Sequence, residues 1–276
     1  MIAILLATYN SDRFLEEQLN SIFEQSFSDW KLIIRDDGST DNTISIINNY
    51  KNLYPEKVFL LDDGNDGLRA YKNFLTLLRN SDADYYMFCD HDDVWLKDKI
   101  RISMERMKEL EAKFPDKPIV VHTDMKVVDQ DLNVISSSFW KYSRLLPSHT
   151  KFWELVCCNC VNGCTMLFNQ KAKNATNGNE HFCLMHDTLV AQSTAAAGGV
   201  ISAIQEPTVL YRQHFDNVIG AANAKRGYFI GRLKNIKTSF SDNYEVWDRA
   251  RHINRKAFGL FLLVKMKITI LRFFRR

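Results

Sequence analysis

The sequence predicts an α/β fold: a mostly parallel sheet flanked by helices, with a helical extension at the C-terminus. Three observations point there. Short β-type runs alternate with helix-length amphipathic segments through the first hundred residues. A polar or acidic turn follows each of three such runs. The charge balance then changes sharply beyond about residue 220.

The elements follow in order. Ile2 to Ala7 is a β-type run that stops at the turn residues Thr8-Tyr9-Asn10-Ser11. Ser11 or Asp12 is placed to cap a helix carrying Phe14, Leu15, Leu19, Ile22 and Phe23 on one face. Lys31 to Ile34 reads as a second strand, followed by Asp36-Asp37-Gly38-Ser39-Thr40-Asp41, in which Thr40 or Asp41 caps the next helix. Val58 to Leu61 is a third strand. Asn65-Asp66-Gly67 turns into a helix through Phe74 and Leu78, and Tyr85-Tyr86-Met87-Phe88 reads as a buried fourth strand ending at Cys89. Alternation of this kind implies right-handed βαβ units and a parallel sheet. Ligands of such sheets bind beyond the carboxyl ends of the strands. Thr8–Asn10, Asp36–Ser39 and Asp90–Asp93 all fall at such ends, so three polar clusters converge on one edge. No GxGxxG or GxxxxGK[ST] occurs, which argues against dinucleotide and P-loop sites.

The chemistry concentrates in Asp90-His91-Asp92-Asp93. Crowded carboxylates repel one another unless a cation neutralises them. On extended backbone Asp90 and Asp92 would share one face, and a hard divalent ion held by one or two carboxylates is the usual magnesium or manganese arrangement. The competing reading is a solvated acidic loop in which Asp93 caps a helix beginning near Trp95. Asp187 opens a helix running through Ala197. It serves there either as a cap or as a general base, whose pKa a partly desolvated cleft would raise.

The opening ATYNSDRFLEEQLNSIFEQSFSDWKLIIRDDGSTDNT resembles the family-2 glycosyltransferases, inverting nucleotide-sugar enzymes with the Rossmann-like GT-A fold. FCDHDDVWLKDKI is similar to their Asp-x-Asp region. NGCTMLFN, MHDTLV and LYRQHFDNVIG resemble the bacterial rhamnosyltransferase-like branch, from which the chain departs at Phe215, where glycine more often follows the histidine. The resemblance covers roughly residues 1–220. It implies donor contacts at Thr8, Tyr9, Asn10, Asp37, Gly38, Arg69, Asp90 and His214, with Asp37 accepting from the pyrimidine N–H. It also implies a Mn or Mg ion on Asp90, Asp92 and His214, and Asp187 as catalytic base. His186 is expected to be a hydrogen-bonded residue behind the site, and Arg212 either a functional cation or the partner of a structural carboxylate.

The implied division is a catalytic domain over residues 1–220, with a nucleotide-sugar half (1–100) and an acceptor half (101–220), followed by the extension 221–276. The activity implied is transfer of a sugar from dTDP-rhamnose or a UDP-sugar to a glycan or lipid-linked acceptor in bacterial surface-polysaccharide synthesis. The alternatives are transfer to polyprenyl phosphate and a non-catalytic nucleotide-sugar-binding or scaffold protein.

The 276 residues, 46% hydrophobic and 25% charged, suit a globular enzyme with a sizeable core. Met1 to Ala7 is too short for a signal peptide and lacks a basic flank, so a cytoplasmic location is expected. Six cysteines without a secretory signal are expected to be reduced and buried rather than paired or zinc-bound. Residues 225–276 hold 14 Lys/Arg and 3 Asp/Glu, a balance of +11, against +3 for the whole chain. Lys265 and Lys267 interrupt the apolar tail, and each would cost ~2.5–3.5 kcal/mol at a bilayer centre, which excludes a spanning helix. The tail therefore reads as an interfacial helix on an anionic membrane at the inner face of the plasma membrane, or as a helix packed on the catalytic domain. No nucleic-acid-binding motif accompanies the basic charge.

Overall fold

The computed structural model describes residues 1–215, 220–221 and 236–275. Its centre is a nine-stranded sheet with helices on both faces. Strands β1 (Ile2–Thr8), β2 (Trp30–Asp36), β3 (Val58–Leu60) and β4 (Tyr85–Cys89) form its parallel half, in the order β3-β2-β1-β4. Helices α1 (Leu15–Phe23), α2 (Thr43–Leu53) and α3 (Arg69–Arg79) are the crossovers. β1 and β4 are buried along their whole length, as strands covered on both faces must be.

The second half is mixed. β5 (Val94–Trp95) leads to α4 (Lys99–Lys113), β6 (Ile119–Val128) and β7 (Val134–Ser136). Short helices α5 (Phe139–Tyr142) and α6 (Phe152–Cys157) precede β8 (Met166–Asn169) and α7 (Gln170–Ala175), and α8 (His186–Ala196) and β9 (Val200–Arg212) complete the sheet. β8 runs antiparallel to both β4 and β6, β9 is parallel to β6, and β5 adds antiparallel to the far end of β9.

Two local expectations are corrected and one is met. α1 starts at Leu15, later than a Ser11 or Asp12 cap allows, because both side chains are engaged elsewhere: Ser11 Oγ accepts the Tyr9 N–H (3.1 Å) and Asp12 Oδ2 meets Asn42. Val94–Trp95 is strand, so no helix begins there and Asp93 caps nothing; its Oδ1 accepts the Arg212 backbone N–H at 3.1 Å. Asp41 does serve the start of α2, accepting the Thr43 N–H at 3.0 Å.

The C-terminal extension forms α9 (Ile236–Ala250) and α10 (Phe258–Phe274). α10 lies against α6, where Phe261 closes a satellite core with Phe152, Trp153 and Ala250. Two of its cations, Arg272 and Lys265, are turned inward, while Lys267 stays exposed. Arg272 donates to the Ser143 and Arg144 carbonyls, Lys265 bonds Asn243, and Lys267 lies 3.8 Å from Glu154. Among the described residues no helix is long and apolar enough to cross a membrane.

Phe261 is fully buried while Leu263, one turn-fraction away, is 57% exposed. Phe261→Ala should therefore cost ~3–5 kcal/mol of stability, and Leu263→Ala within about 0.5 kcal/mol of nothing, in urea melts followed by tryptophan fluorescence. Equal effects would show that α10 is not docked.

Candidate active site

The first strand ends are built from side-chain caps. Thr8 is buried and its Oγ1 donates to Asp36 Oδ1 at 2.7 Å. Asp36 Oδ2 accepts the Gly38 and Ser39 N–H groups at 3.1 and 2.7 Å. Gly38 has φ +87, and a Cβ there would lie 3.0 Å from the Asp66 side chain, so only glycine fits. Asn10 sits at φ +46, a region asparagine tolerates, and its Oδ1 accepts the Thr40 N–H at 2.9 Å. Thr8, Asn10 and Gly38 thus shape the edge, while Tyr9 stands 55% exposed above it.

Beneath them sits a buried cation that the sequence reading missed. Arg35 NH1 donates to Asp37 Oδ1 (3.0 Å) and Asn73 Oδ1 (3.2 Å). Its NH2 donates to Asp63 Oδ1 (2.9 Å) and to the Asn65 carbonyl. Asp37 also accepts the Leu68 N–H at 2.9 Å and the Arg69 N–H at 2.8 Å. These donors leave one lone-pair position on Asp37 Oδ2 for a further donor. Arg69 is at φ +62, and its exposed guanidinium has no partner among the described residues. The Arg35 pairing holds the Asp63 carboxyl below its ordinary range. Alternation in β2 sets Arg35 on the face of Lys31 and Ile33, opposite Trp30, Leu32 and Ile34, so no spacing signal marked its burial.

The acidic cluster follows β4, but its backbone bends rather than extends. The face-sharing argument for Asp90 and Asp92 therefore gives way to a different arrangement. Ligand atoms of Asp90, Asp93 and Cys164 lie within 4.8 Å of one another, and Asp92 turns to His214, with Oδ2 2.8 Å from Nε2. Burial, then the charges of Asp92 and Asp187, pushes the Asp90 carboxyl up to about 7. Burial drives Asp93 upward as well, and its Oδ2 has no hydrogen-bond partner. Lys99, buried behind the cluster, is pulled down to about 8 by desolvation.

Arg212 takes the structural role of its two alternatives. It is buried, pairs with Glu17, donates to the Asp92 carbonyl (2.8 Å) and the Gln130 carbonyl (2.6 Å), and lies over the Phe14 ring.

The described residues fit a hard divalent ion. The compact donor group among the described residues is Asp90 and Asp93 with Cys164, while Asp92 and His214 pair with each other beside it, so the predicted set of Asp90, Asp92 and His214 is not itself brought together; the acids still carry excess negative charge that a cation would offset. Cys164 is a poor Mn or Mg ligand, since burial raises its thiol and keeps it protonated. All six cysteines are free.

Asp187 lies in the first turn of α8, one residue inside the helix, so it is not the cap. Its Oδ1 accepts the Thr188 hydroxyl at 3.1 Å and the carboxyl also takes the Gly163 backbone N–H. Burial nevertheless raises it to about 6. His186 corrects an expectation: neither ring nitrogen has a hydrogen-bond partner, and the ring packs 3.9 Å from Phe74 and 4.6 Å from Phe88. Burial lowers it to about 3, so it is neutral.

Residues 3–174 match the Glycosyl transferase family 2 model. The chain belongs to that family. It is 30% identical over 223 residues to the dTDP-rhamnosyl transferase RfbG of Shigella flexneri, covering 78% of this chain and 74% of that one. It is also 30% identical over 114 residues to the putative teichuronic acid biosynthesis glycosyltransferase TuaG of Bacillus subtilis, a match spanning 44% of that protein. Among solved structures, Staphylococcus aureus TarS 1–349 with UDP superposes at TM-score 0.63, with 16% identity, over 97% of this chain and 70% of that one. The Pyrobaculum calidifontis mannosyltransferase PcManGT with GDP-Man and Mn2+ gives 0.58 at 15% identity, over 97% and 73%. The glycosyltransferase therefore has the GT-A fold. In its parallel half and in the strand ends that carry the polar clusters, the fold is the one the sequence predicts.

Gly163 was quoted in the sequence only as part of a motif, yet a Cβ there would stand 2.5 Å from His186 Nε2. Gly163→Ala must push His186 and the adjacent Asp187. It should cost ~1–3 kcal/mol in thermal or urea melts and reduce kcat about a hundredfold with donor KM little changed. A wild-type kcat would show that this backbone approach does not position Asp187.

Proposed function

We propose that this enzyme is an inverting glycosyltransferase that moves a sugar from a nucleotide-diphosphate donor to a glycan or lipid-linked acceptor in bacterial surface-polysaccharide synthesis, at the inner face of the plasma membrane. One observation carries the reading: Asp187, nearly a hundred residues beyond the Asp90–Asp92 loop, lies close enough for its charge, after that of Asp92, to raise the Asp90 carboxyl. Donor dTDP-rhamnose is the first choice, supported by the name of RfbG. A UDP-sugar is the second, supported by the TarS structures with UDP and UDP-GlcNAc.

Residues 1–100 hold the nucleotide in this reading. Asp37 Oδ2 offers its remaining lone pair to a pyrimidine N–H, Tyr9 covers the base, and Arg69 adds a contact to the base or phosphate. Asp90, Asp92 and His214 would hold Mn or Mg. A bound ion there supplies charge neutralisation at the leaving diphosphate. The acceptor hydroxyl attacks the anomeric carbon from the side opposite the diphosphate. As the new C–O bond forms, the bond to the phosphate oxygen breaks and takes its electron pair to the nucleoside diphosphate. The acceptor proton passes to Asp187. A carboxylate raised to about 6 is well matched to that task near neutral pH, and it argues against a protein that only binds or scaffolds nucleotide sugars.

Asp187→Asn should bind donor normally in isothermal titration and lose transfer by roughly 10²–10⁴. In the wild type, the basic form is lost as pH falls, so kcat should drop tenfold per unit below about pH 6. A flat profile from pH 5 to 8, or an Asn variant within a few-fold of wild type, would remove Asp187 from the chemistry.

Chelation with EDTA should abolish transfer, and added Mn should restore it. Asp92→Asn should be inactive, and its thermal stability should no longer rise when Mn and nucleoside diphosphate are added together. Full activity after chelation would refute the metal role.

A further inference from the structure

α10 has two apolar faces, and only one is used. Phe261 and Ile268 are buried, but Leu260, Leu263, Met266, Ile270, Leu271 and Phe274 are 37–68% exposed. At 100° per residue these six fall on one side of the helix, opposite Phe261, Ile268 and Arg272. An outward stripe of this size is uncommon on a monomeric surface and marks a contact. A helix only needed to close the satellite core would carry polar residues there.

We propose that this outward stripe seats the enzyme on an anionic lipid bilayer, with α10 lying in the plane of the headgroups. The proposal deepens the location given above and identifies the surface responsible. Three features choose a bilayer over a second copy. The stripe is a single helix face of six apolar side chains, whereas a stable dimer needs roughly 20–30 residues a side. Its surroundings are cationic: the described residues 236–275 hold nine Lys/Arg against three Asp/Glu. Lys267 stands within the stripe with its side chain 63% exposed, and Arg255 is exposed just before the helix. Phe274 adds an aromatic ring at one end, the residue type that suits the headgroup boundary.

The structure also reassigns which groups do the anchoring. Arg272 and Lys265 are turned to protein acceptors, so apolar insertion supplies most of the binding and electrostatics the smaller part. The seat is joined to the chemistry. α10 packs on α6, and six residues beyond α6 comes Gly163, whose N–H meets Asp187. A docked α10 would therefore hold α6, the segment that leads to the Asp187 side of the cleft.

Flotation of the full chain with vesicles tests this, using phosphatidylcholine alone and phosphatidylcholine with phosphatidylglycerol. The wild type should float with both vesicles, and more fully with the anionic ones. Leu263→Glu combined with Ile270→Glu changes only exposed positions. It should keep the wild-type melting temperature and its rate on a water-soluble acceptor, and lose about tenfold or more in vesicle partitioning. Wild type that stays with the soluble fraction for every vesicle overturns the proposal, as does a double variant that floats equally well. A wild-type dimer by light scattering that the double variant converts to monomer, without vesicle binding, overturns it in favour of a second copy. Transfer to the soluble acceptor is read separately, so failure of the membrane seat and failure of the glycosyltransferase reading are distinguishable.

Discussion

The site depends on the parallel register of β1 with its two neighbours. Thr8 pairs with Asp36 across β2, and Leu6 pairs with Cys89 across β4. Three chain segments far apart in sequence therefore leave the sheet at one edge, in the same direction. Antiparallel pairing of any one of them would send its polar turn to the opposite end. The core that enforces this register is simple: Ile4, Leu5 and Leu6 are fully buried between α1 and α3. A slip by one residue would exchange which of those side chains meets each helix layer and would part Thr8 from Asp36.

On that frame, the polar groups of the edge are held mainly by one another. Arg35 is the clearest instance. A fully buried guanidinium is costly unless its donors are met, and here Asp37, Asp63, Asn73 and a backbone carbonyl meet them. The network pins the loop between β3 and α3 over the end of β2. It fixes the direction of the remaining Asp37 lone pair before any ligand arrives. The acidic edge is the opposite case: its carboxylates are under-compensated, with Asp90 raised by its neighbours and Asp93 Oδ2 unpartnered. One cluster is neutralised in place and the other is left with excess negative charge.

The sequence carried the first half of this fold well because each crossover there is local: strand, polar turn, helix. Asp187 could be found because it follows an apolar run and opens a helix. The second half was less legible. β5 is two residues long and exists only through its pairing with β9, more than a hundred residues later, so Asp93 looked like a cap. The grouping of Asp90 with Cys164, and of Asp92 with His214, depends on a bend and on long-range packing that no spacing rule encodes. His186 was expected to hydrogen-bond because histidines usually do; its aromatic surroundings come from α3 and β4, distant in sequence. The two-sided character of α10 was hidden because composition reports apolar content without saying which face is already covered.

β9 ends where the metal-side loop needs bracing. Arg212 reaches Glu17 on α1, the Asp92 carbonyl and the Gln130 carbonyl, while its own N–H meets Asp93. The last strand of the sheet is thus the strut of the loop that follows β4. Modular recombination of such enzymes, exchanging one acceptor region for another to change product, cannot cut cleanly near residue 100. A chimera that imports a foreign β9 would import a foreign strut, and its Asp92 loop would sit on a partner that never co-adapted to Glu17. A transplantable cassette has to run from the end of α4 to a junction before β9, leaving Arg212, Glu17 and the Asp92 loop native and asking of the import only a backbone carbonyl at the position of Gln130.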